Sequence, residues 1–264
     1  MMANNKRQAY ILETAKKDGF ISIPDAAQKL DVSIETVRRD INALCAKNLL
    51  KKVRGGAAPV KVQAIQLSDY RGNAKKSNRI RQLLAQEAVK LIRDNTVVAL
   101  DGGSLDVASC VQNVHDVTFV VHSVPIANAL LTRLNDGAFT GRVIMIGGEL
   151  RLRNDCTYGI IATDTTDRYH FDQLFLGCSA LSTDGIYYPE IDAGCYTRHL
   201  IDRSAQRILL VESDRLGKTA FYTFAKPEEM DHIIVDDLHP FPADLQETLS
   251  RSNTQLSIIA CHED

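Results

Sequence analysis

Between residues 33 and 44 the apolar side chains recur at helical spacing. Val37, Ile41 and Leu44 fall on one stripe of a helix advancing about 100° per residue, while Glu35, Arg39 and Asn42 fall opposite, with Arg38 at the edge. Ser33 stands where an N-cap hydroxyl accepts a free amide, and Glu35 suits the positive end of the helix dipole. The preceding stretch SIPDAAQKLDVS predicts a helix capped by Ser22, with Asp25 in its first turn, Ala26, Ala27 and Leu30 facing inward, and a break at Asp31-Val32. An earlier helix over about residues 6–17 adds Ile11, Leu12 and Ala15 to the same small core. The stretch LLKKVRGGAA then alternates roughly and breaks at two glycines, which predicts a hairpin. Two short helices joined by a tight turn and followed by a hairpin make a winged helix-turn-helix, whose second helix lies in the DNA major groove.

From Arg79 onward the pattern changes. Helices over 79–92, 104–112, 125–134, near 160–168, 191–204 and 240–251 are expected between apolar strands TVVALD, VTFVVHS, RVIMIGG, QLFLGCSAL, RILLVES, HIIVDD and QLSIIA. Short apolar strands with intervening helices predict an α/β body with a mainly parallel sheet covered on both faces. The polar segment APVKVQAIQLSDYRGNAKKSNR has no sustained period and reads as a hinge. The chain therefore divides into a head at 1–58, a linker at 59–78 and a body at 79–264.

Charge sharpens the head's reading. Residues 1–62 hold 12 Lys+Arg against 6 Asp+Glu, a net of +6, while the rest holds 19 against 27, a net of -8. The whole-chain value of -2 thus conceals a basic head on an acidic body. A merely solvated face does not produce that asymmetry. Ser33, Glu35, Thr36, Arg38, Arg39 and Asn42 on the second helix, with Lys51, Lys52 and Arg54 on the wing, are the candidate contacts to double-stranded DNA.

Composition removes other classes. No run of 18 apolar residues appears, the polar start MMANNKRQAY lacks the apolar stretch of a signal peptide, and a cytoplasmic protein is expected. The six cysteines are scattered, with no CxxC pair and no histidine at zinc-finger spacing, so neither disulfide, structural metal nor cofactor is expected.

The head resembles that of the DeoR family of bacterial transcriptional regulators. Arg7, Ile11, Ser33, Thr36, Val37, Arg38, Arg39, Asp40 and Ile41 fit the family's spacing, and Ala15 departs from its usual Leu or Ile. The resemblance continues through the body. Asp101, Gly103 and Ser104 match the family's Asp-x-Gly-Ser/Thr loop, Gly147, Gly148, Glu149, Leu150 and Arg151 match its Gly-Gly-Glu-Leu-Arg stretch, FDQLFLG and Gly185 match as well, and Asp192 keeps the acidic character of the family's Glu. Departures are Leu105 and Asp106 for threonines, His122 for Asn, Thr197 for Lys, Glu212 for Asp and Arg215 for Lys. The resemblance implies a Rossmann-like α/β effector domain similar in fold to sugar-phosphate isomerases, sensing a sugar phosphate or related metabolite that alters DNA binding.

Ligands of parallel sheets bind beyond the carboxyl ends of the strands. There, Gly102, Gly103, Gly147 and Gly148 let backbone approach a ligand, or form ordinary tight turns, and Ser104 caps a helix whose free amides suit an anion. Asp101, Asp106, Asp192 and Glu212 suit sugar hydroxyls, and Arg151, Arg198 and Arg215 suit an anionic group, unless they form ion pairs at the sheet edge. His122, alone after a strand, reads as a structural histidine. The expected function is a regulator, in the first instance a repressor, of a carbohydrate operon under a sugar or sugar-phosphate effector. It is expected to act as a homo-oligomer, dimer or tetramer, because linked heads gain affinity on repeated half-sites. The alternatives are an effector-independent DNA binder and, behind it, an isomerase-like enzyme, for which no acid–base pair stands at a telling spacing.

Overall fold

In the computed structural model, which describes residues 4–18, 20–46, 49–53, 55–59, 74–151 and 155–261, the chain divides into two units, Met1–Val62 and Gln63–Asp264. Arg54 and residues 60–73 of the expected linker lie outside the described residues.

The first unit runs α1 (Asn4–Asp18), β1 (Ile21–Ser22), α2 (Ile23–Leu30), α3 (Ile34–Ala46), β2 (Leu50–Val53) and β3 (Gly56–Pro59). Both expected caps form: Ser22 Oγ accepts from Asp25 N at 3.4 Å and Ser33 Oγ from Thr36 N at 3.2 Å. Asp31 ends α2 in the left-handed region at φ 52°, a conformation that a short polar side chain tolerates, and so aims the chain into α3. Ile11, Ala15, Ala26, Ala27, Val37, Ile41 and Leu44 share one buried cluster with Ile21 and Leu50. The wing is the antiparallel pair β2–β3, and β1 pairs with the other edge of β3. This two-residue strand is too short to show any period. Its contact requires glycine: a Cβ on Gly56 would lie 1.9 Å from Ile21 O.

A buried ion pair ties α1 to α3. Arg7 Nε donates to Asp40 Oδ2 at 2.8 Å, Gln8 Nε2 lies 3.3 Å from Oδ1, and the Arg7 and Asp40 side chains are only 15% and 5% exposed. Asp40 thus occupies the inner face of α3 beside Val37 and Ile41, and frees the outer face from structural duty.

The second unit contains α4 (Ala74–Ala88), β4 (Val97–Leu100), α5 (Leu105–Cys110), β5 (Val117–Val121), α6 (Val124–Asn135), β6 (Gly141–Met145), β7 (Glu149–Arg151), β8 (Cys156–Tyr158), α7 (Ile160–Thr166) and β9 (Phe171–Gly177). It continues with β10 (Ala180–Ser182), β11 (Gly185–Tyr188), α8 (Ile191–Asp202), β12 (Ser204–Val211), β13 (Tyr222–Ala225), β14 (His232–Asp236), α9 (Ala243–Ser250) and β15 (Gln255–Ile259). Seven strands form one sheet in the order β15-β14-β12-β9-β4-β5-β6, with every neighbouring pair parallel. Successive strand residues alternate between two cores. Val98, Leu100, Phe119, Val121 and Phe175 pack with residues of α4, α5 and α6, while Ala99, Val120, Leu174 and Leu176 pack with residues of α7, α8 and α9. Burial on both faces is why these strands read as apolar runs.

Two features differ from the sequence reading. The run QLFLGCSAL is not one strand: β9 ends at Gly177, and Ser179 N donates to Tyr187 O at 2.9 Å, committing β10 to a separate antiparallel sheet of β10, β11 and β13. Glu149 to Tyr158 also fold back as the hairpin β7–β8, in register Leu150 with Thr157 and Arg151 with Cys156. The apolar run conceals the first break because both pieces are buried.

Strand order locates the ligand crevice. The chain grows from β4 outward to β5 and β6, returns to β9 on the other side of β4, and grows away again through β12, β14 and β15. The topological switch point therefore lies between β4 and β9, and the loops leaving those two strands flank it.

Replacing Asp40 with Ala removes the carboxylate that ties the part-buried Arg7 guanidinium to α3. Urea denaturation of the intact protein is expected to show a loss of about 3 kcal/mol in the transition of the head. Arg39→Ala, on the exposed face of the same helix, is expected to change it by less than about 0.5 kcal/mol.

Candidate DNA-binding face and effector site

On α3 the side chains of Ser33, Glu35, Arg38, Arg39 and Asn42 are exposed and Thr36 is half-buried. The Ser33 and Thr36 hydroxyls lie 2.9 Å apart and Ser33 also caps the helix, so this pair orients the face. Arg38 Nη1 lies 3.7 Å from Glu35 Oε2 with both side chains largely in solvent, a pair weak enough to exchange for a phosphate or base. Lys51 and Lys52 are exposed on β2. Sequence reasoning passed over Ile34, which is 48% exposed in the first turn of α3. An aliphatic residue beside a cap reads as core, yet an exposed one suits a thymine methyl in the major groove.

In the second unit the loop after β4 is stitched to β9. Asp101 N donates to Phe175 O at 3.0 Å, and the Ser104 hydroxyl donates to the same oxygen at 2.8 Å. Ser104 was expected to cap α5; its side chain makes no cap bond, because the neighbouring strand end takes the hydroxyl. Gly103 sits against Gly177, where a Cβ would come within 3.1 Å of the Gly177 Cα, so backbone packs directly on backbone at the switch point.

Asp101 is 2% exposed and fully engaged by side chains from distant elements. Tyr188 Oη lies 2.8 Å from both Oδ2 and the Gly177 carbonyl, which share its one proton, Thr197 Oγ1 donates to Oδ1 at 3.2 Å, and His122 Nε2 lies 3.3 Å from Oδ1. Three side chains thus reach the carboxylate, and its two oxygens keep room for about one further bond to a ligand. The other imidazole nitrogen, Nδ1, donates to Thr157 O at 3.1 Å, and the ring stacks on Tyr196 with centroids 4.3 Å apart. His122 is therefore held at both nitrogens and on its face. Together with Thr197 it marks two departures from the family pattern, and the two meet on a single carboxylate oxygen.

Other expected ligand groups gather at the same end of the sheet. Arg151 lies 3.4 Å from Glu149 and 3.5 Å from Asp192, which joins the segment after Gly147 and Gly148 to the first turn of α8. Glu212, 6% exposed, pairs with Arg215, whose Nη1 donates to Cys178 O just beyond β9. Two expected groups stand apart. Asp106 accepts from Arg81 Nε at 3.0 Å, and Arg198 is held by Asp202, by Glu229 at 2.7 Å and by the Phe224 carbonyl. Neither shares a partner with Asp101. Tyr188 and Tyr196 give no sequence signal for this site, because the folds of the small sheet and of α8 bring them in, and Thr197 showed only as a departure from the family's Lys.

Burial pushes the Cys156 thiol up to about 12, with nearby Asp101 adding to the effect, and pushes the Cys178 thiol up to about 12 as well. Burial likewise raises the Tyr158 and Tyr196 phenols above their ordinary range. These groups keep their protons at neutral pH, so the site offers hydroxyl donors and carboxylates rather than an activated nucleophile. Among the described residues no three His, Cys, Asp or Glu side chains are placed to hold a metal ion.

A capped, outwardly basic second helix with a wing, joined in one chain to a doubly covered parallel sheet, defines a winged helix-turn-helix transcriptional regulator with a sensor domain. The family model "DeoR-like helix-turn-helix domain" matches residues 7–63 and "DeoR C terminal sensor domain" matches residues 76–237, and the chain belongs to the DeoR family. It is 30% identical over 240 residues to the HTH-type transcriptional repressor GlcR of Bacillus subtilis, covering 90% of each chain. It is 28% identical to the L-fucose operon activator of Haemophilus influenzae, covering 92% of this chain and 95% of that one. Its similarity to ribose 5-phosphate isomerase A of Methanocaldococcus jannaschii has a TM-score of 0.34 and 16% identity over 53% of this chain and 55% of that chain, a level that bears on neither ligand nor chemistry.

The raised thiols set an alkaline limit. An unfolded thiol ionises from about pH 8.5, whereas folded Cys156 and Cys178 hold their protons to about 12. The unfolded state then binds fewer protons, so stability falls as pH rises through that window. Denaturant midpoints measured from pH 8 to 11 are expected to fall steadily, and the slope is expected to be shallower in Cys156→Ala, whatever that change does to the midpoint at pH 7.

Proposed function

We propose that this chain regulates a carbohydrate operon, in the first instance as a repressor, by binding an operator through its head and a sugar or sugar-phosphate metabolite through its body. The observation that carries the reading is the Arg38-Arg39-Asn42 face, set outward on a helix whose start is capped and whose inner side is locked by Arg7 and Asp40. Arg39 and Asn42 read base edges, Lys51, Lys52 and Arg54 meet phosphates, and Glu35 and Thr36 complete the face. In the body, Asp101 to Ser104 and Gly147 to Arg151, with Asp192, Glu212 and Arg215, surround the metabolite. Asp106 and Arg198 join only by exchanging their present ion-pair partners.

Catalysis is the weaker account. Isomerising a sugar phosphate needs a base free to reach the substrate and a cation for the developing oxyanion. Asp101 is enclosed by His122, Tyr188 and Thr197, and Arg215 is paired with Glu212. Ser213 looks suggestive beside His239 and Asp236, but its proton goes to the Asp236 carboxylate, so the hydroxyl caps a strand end rather than facing a base. Two linked heads fit repeated half-sites, which favours a homo-oligomer. Cytoplasmic residence fits a DNA-binding role, and no helix among the described residues is long and apolar enough to cross a membrane.

Selection of the operator from random duplexes, followed by titration, tests the head. Arg39→Ala is expected to weaken the selected site by about 1–3 kcal/mol, while Lys52→Ala weakens all sequences alike and lowers the salt slope by about 1. Unchanged operator binding by a folded Arg38→Ala/Arg39→Ala protein rules out this face.

A thermal-shift screen of free sugars, polyols, sugar acids and sugar phosphates tests the body, since a ligand at 100 times its Kd stabilises by about 2.7 kcal/mol. If no compound shifts the intact protein and Asp101→Ala leaves operator control in cells unchanged, the effector-independent regulator is the better account.

A further inference from the structure

Among the described residues a single buried side-chain polar atom lacks a hydrogen-bond partner: the hydroxyl oxygen of Ser179. The residue is 1% exposed. Enclosing a hydroxyl without a partner costs folding free energy, and an alanine would fill nearly the same space without that cost. Its neighbours Cys178, Ala180 and Leu181 are buried apolar residues, so nothing in the local packing asks for a polar group.

Its position does. Ser179 follows the end of β9, one of the two strands that flank the switch point. Two residues before it, Gly177 packs against Gly103 and its carbonyl accepts from Tyr188, the same phenol that holds Asp101. One residue before it, the Cys178 carbonyl accepts from Arg215. Ser179 thus stands between the Asp101–Ser104 loop and the Glu212–Arg215 pair, on a segment that both groups grip.

We infer that the Ser179 hydroxyl is a ligand contact of the effector site, held in reserve for a hydroxyl or carbonyl of a polyhydroxy metabolite. This rests on the effector reading proposed above. Charge decides which part of the ligand it meets. The buried charges around the segment are Asp101 and Glu212, and the guanidinium of Arg215 is already matched by Glu212. An anionic group placed there would face two carboxylates, whereas a neutral hydroxyl can both donate and accept. A phosphate or carboxylate of the ligand meets Arg151, whose side chain is 48% exposed, only by taking the place of Glu149 and Asp192.

The enclosure has a consequence for signalling. The oxygen is shut off from solvent, so a ligand reaches it only when the segments that enclose it part. The bond is then gained in the ligand-bound arrangement alone. A contact that exists in one arrangement and not in the other is what allows a ligand to shift an equilibrium between them.

The test uses the intact protein and Ser179→Ala, with ribose, ribose 5-phosphate, glucose 6-phosphate, fructose 6-phosphate, glycerol and glycerol 3-phosphate as thermal-shift probes. The expected result is a Ser179→Ala protein that melts at the same or a slightly higher temperature than the parent, yet binds whichever probe stabilises the parent at least tenfold more weakly. Ser179→Cys, nearly the same size with a weaker donor, is expected to fall between them. Equal probe affinity in parent and Ser179→Ala overturns the role of Ser179 while leaving the effector reading intact. A lower melting temperature with unchanged probe affinity also overturns it, and shows a structural hydroxyl bonded to a buried water. If no probe stabilises the parent, the effector reading fails for this ligand class and the Ser179 contact fails with it.

Discussion

A parallel sheet that grows first one way and then the other must bring two strand ends side by side with no crossover between them. Here those ends belong to β4 and β9, and they meet through bare backbone, Gly103 on Gly177. The contact depends on the absence of a side chain at Gly103, where a Cβ would come within 3.1 Å of the Gly177 backbone. It lets Asp101 and Ser104 bond to the carbonyl of Phe175, and it leaves Tyr188 close enough to reach both Asp101 and the carbonyl of Gly177. Asp101, Ser104 and Tyr188 are positioned by that approach, whereas Arg151 and Asp192 are set by their own ion pair.

The network on Asp101 is buried and polar, and its members converge on one carboxylate, so loss of one is felt by the rest. Tyr188 arrives from the small antiparallel sheet, Thr197 from α8, and His122 from the end of β5. A ligand that competes for any of these donors acts on several elements at once. The same arrangement opposes catalysis, because a base surrounded by donors is poorly placed to take a proton.

The head solves a different problem. A recognition helix must expose polar groups without losing its own fixation, and α3 does so by dividing its surface. Val37, Ile41 and Leu44 fill the core, Asp40 bonds Arg7 beneath the surface, and Arg38, Arg39 and Asn42 remain outside with only one weak ion pair among them. The polar run of the helix therefore contains two kinds of residue: Asp40 holds the fold, and its arginine neighbours face outward.

What the sequence determined by itself was whatever sits within one turn or one strand. The caps at Ser22 and Ser33, the buried stripe of α3, the basic head and the apolar strands other than QLFLGCSAL appear as expected, because a cap and its amide are three residues apart and a period needs about ten residues to show. The Asp101–Ser104 loop was legible as a strand end with glycines. Its chemistry was not: Ser104 gives its hydroxyl to a strand 71 residues away, and Asp101 receives Tyr188 and Thr197 from 87 and 96 residues away. Arg151 and Asp192 were named separately and only folding set them side by side, while Asp106 and Arg198 were named with them and folding gave them to other partners. The vacancy at Ser179 belongs wholly to the tertiary structure, since a hydroxyl without a partner is a fact about everything that surrounds it and leaves no mark on the residues beside it in the chain.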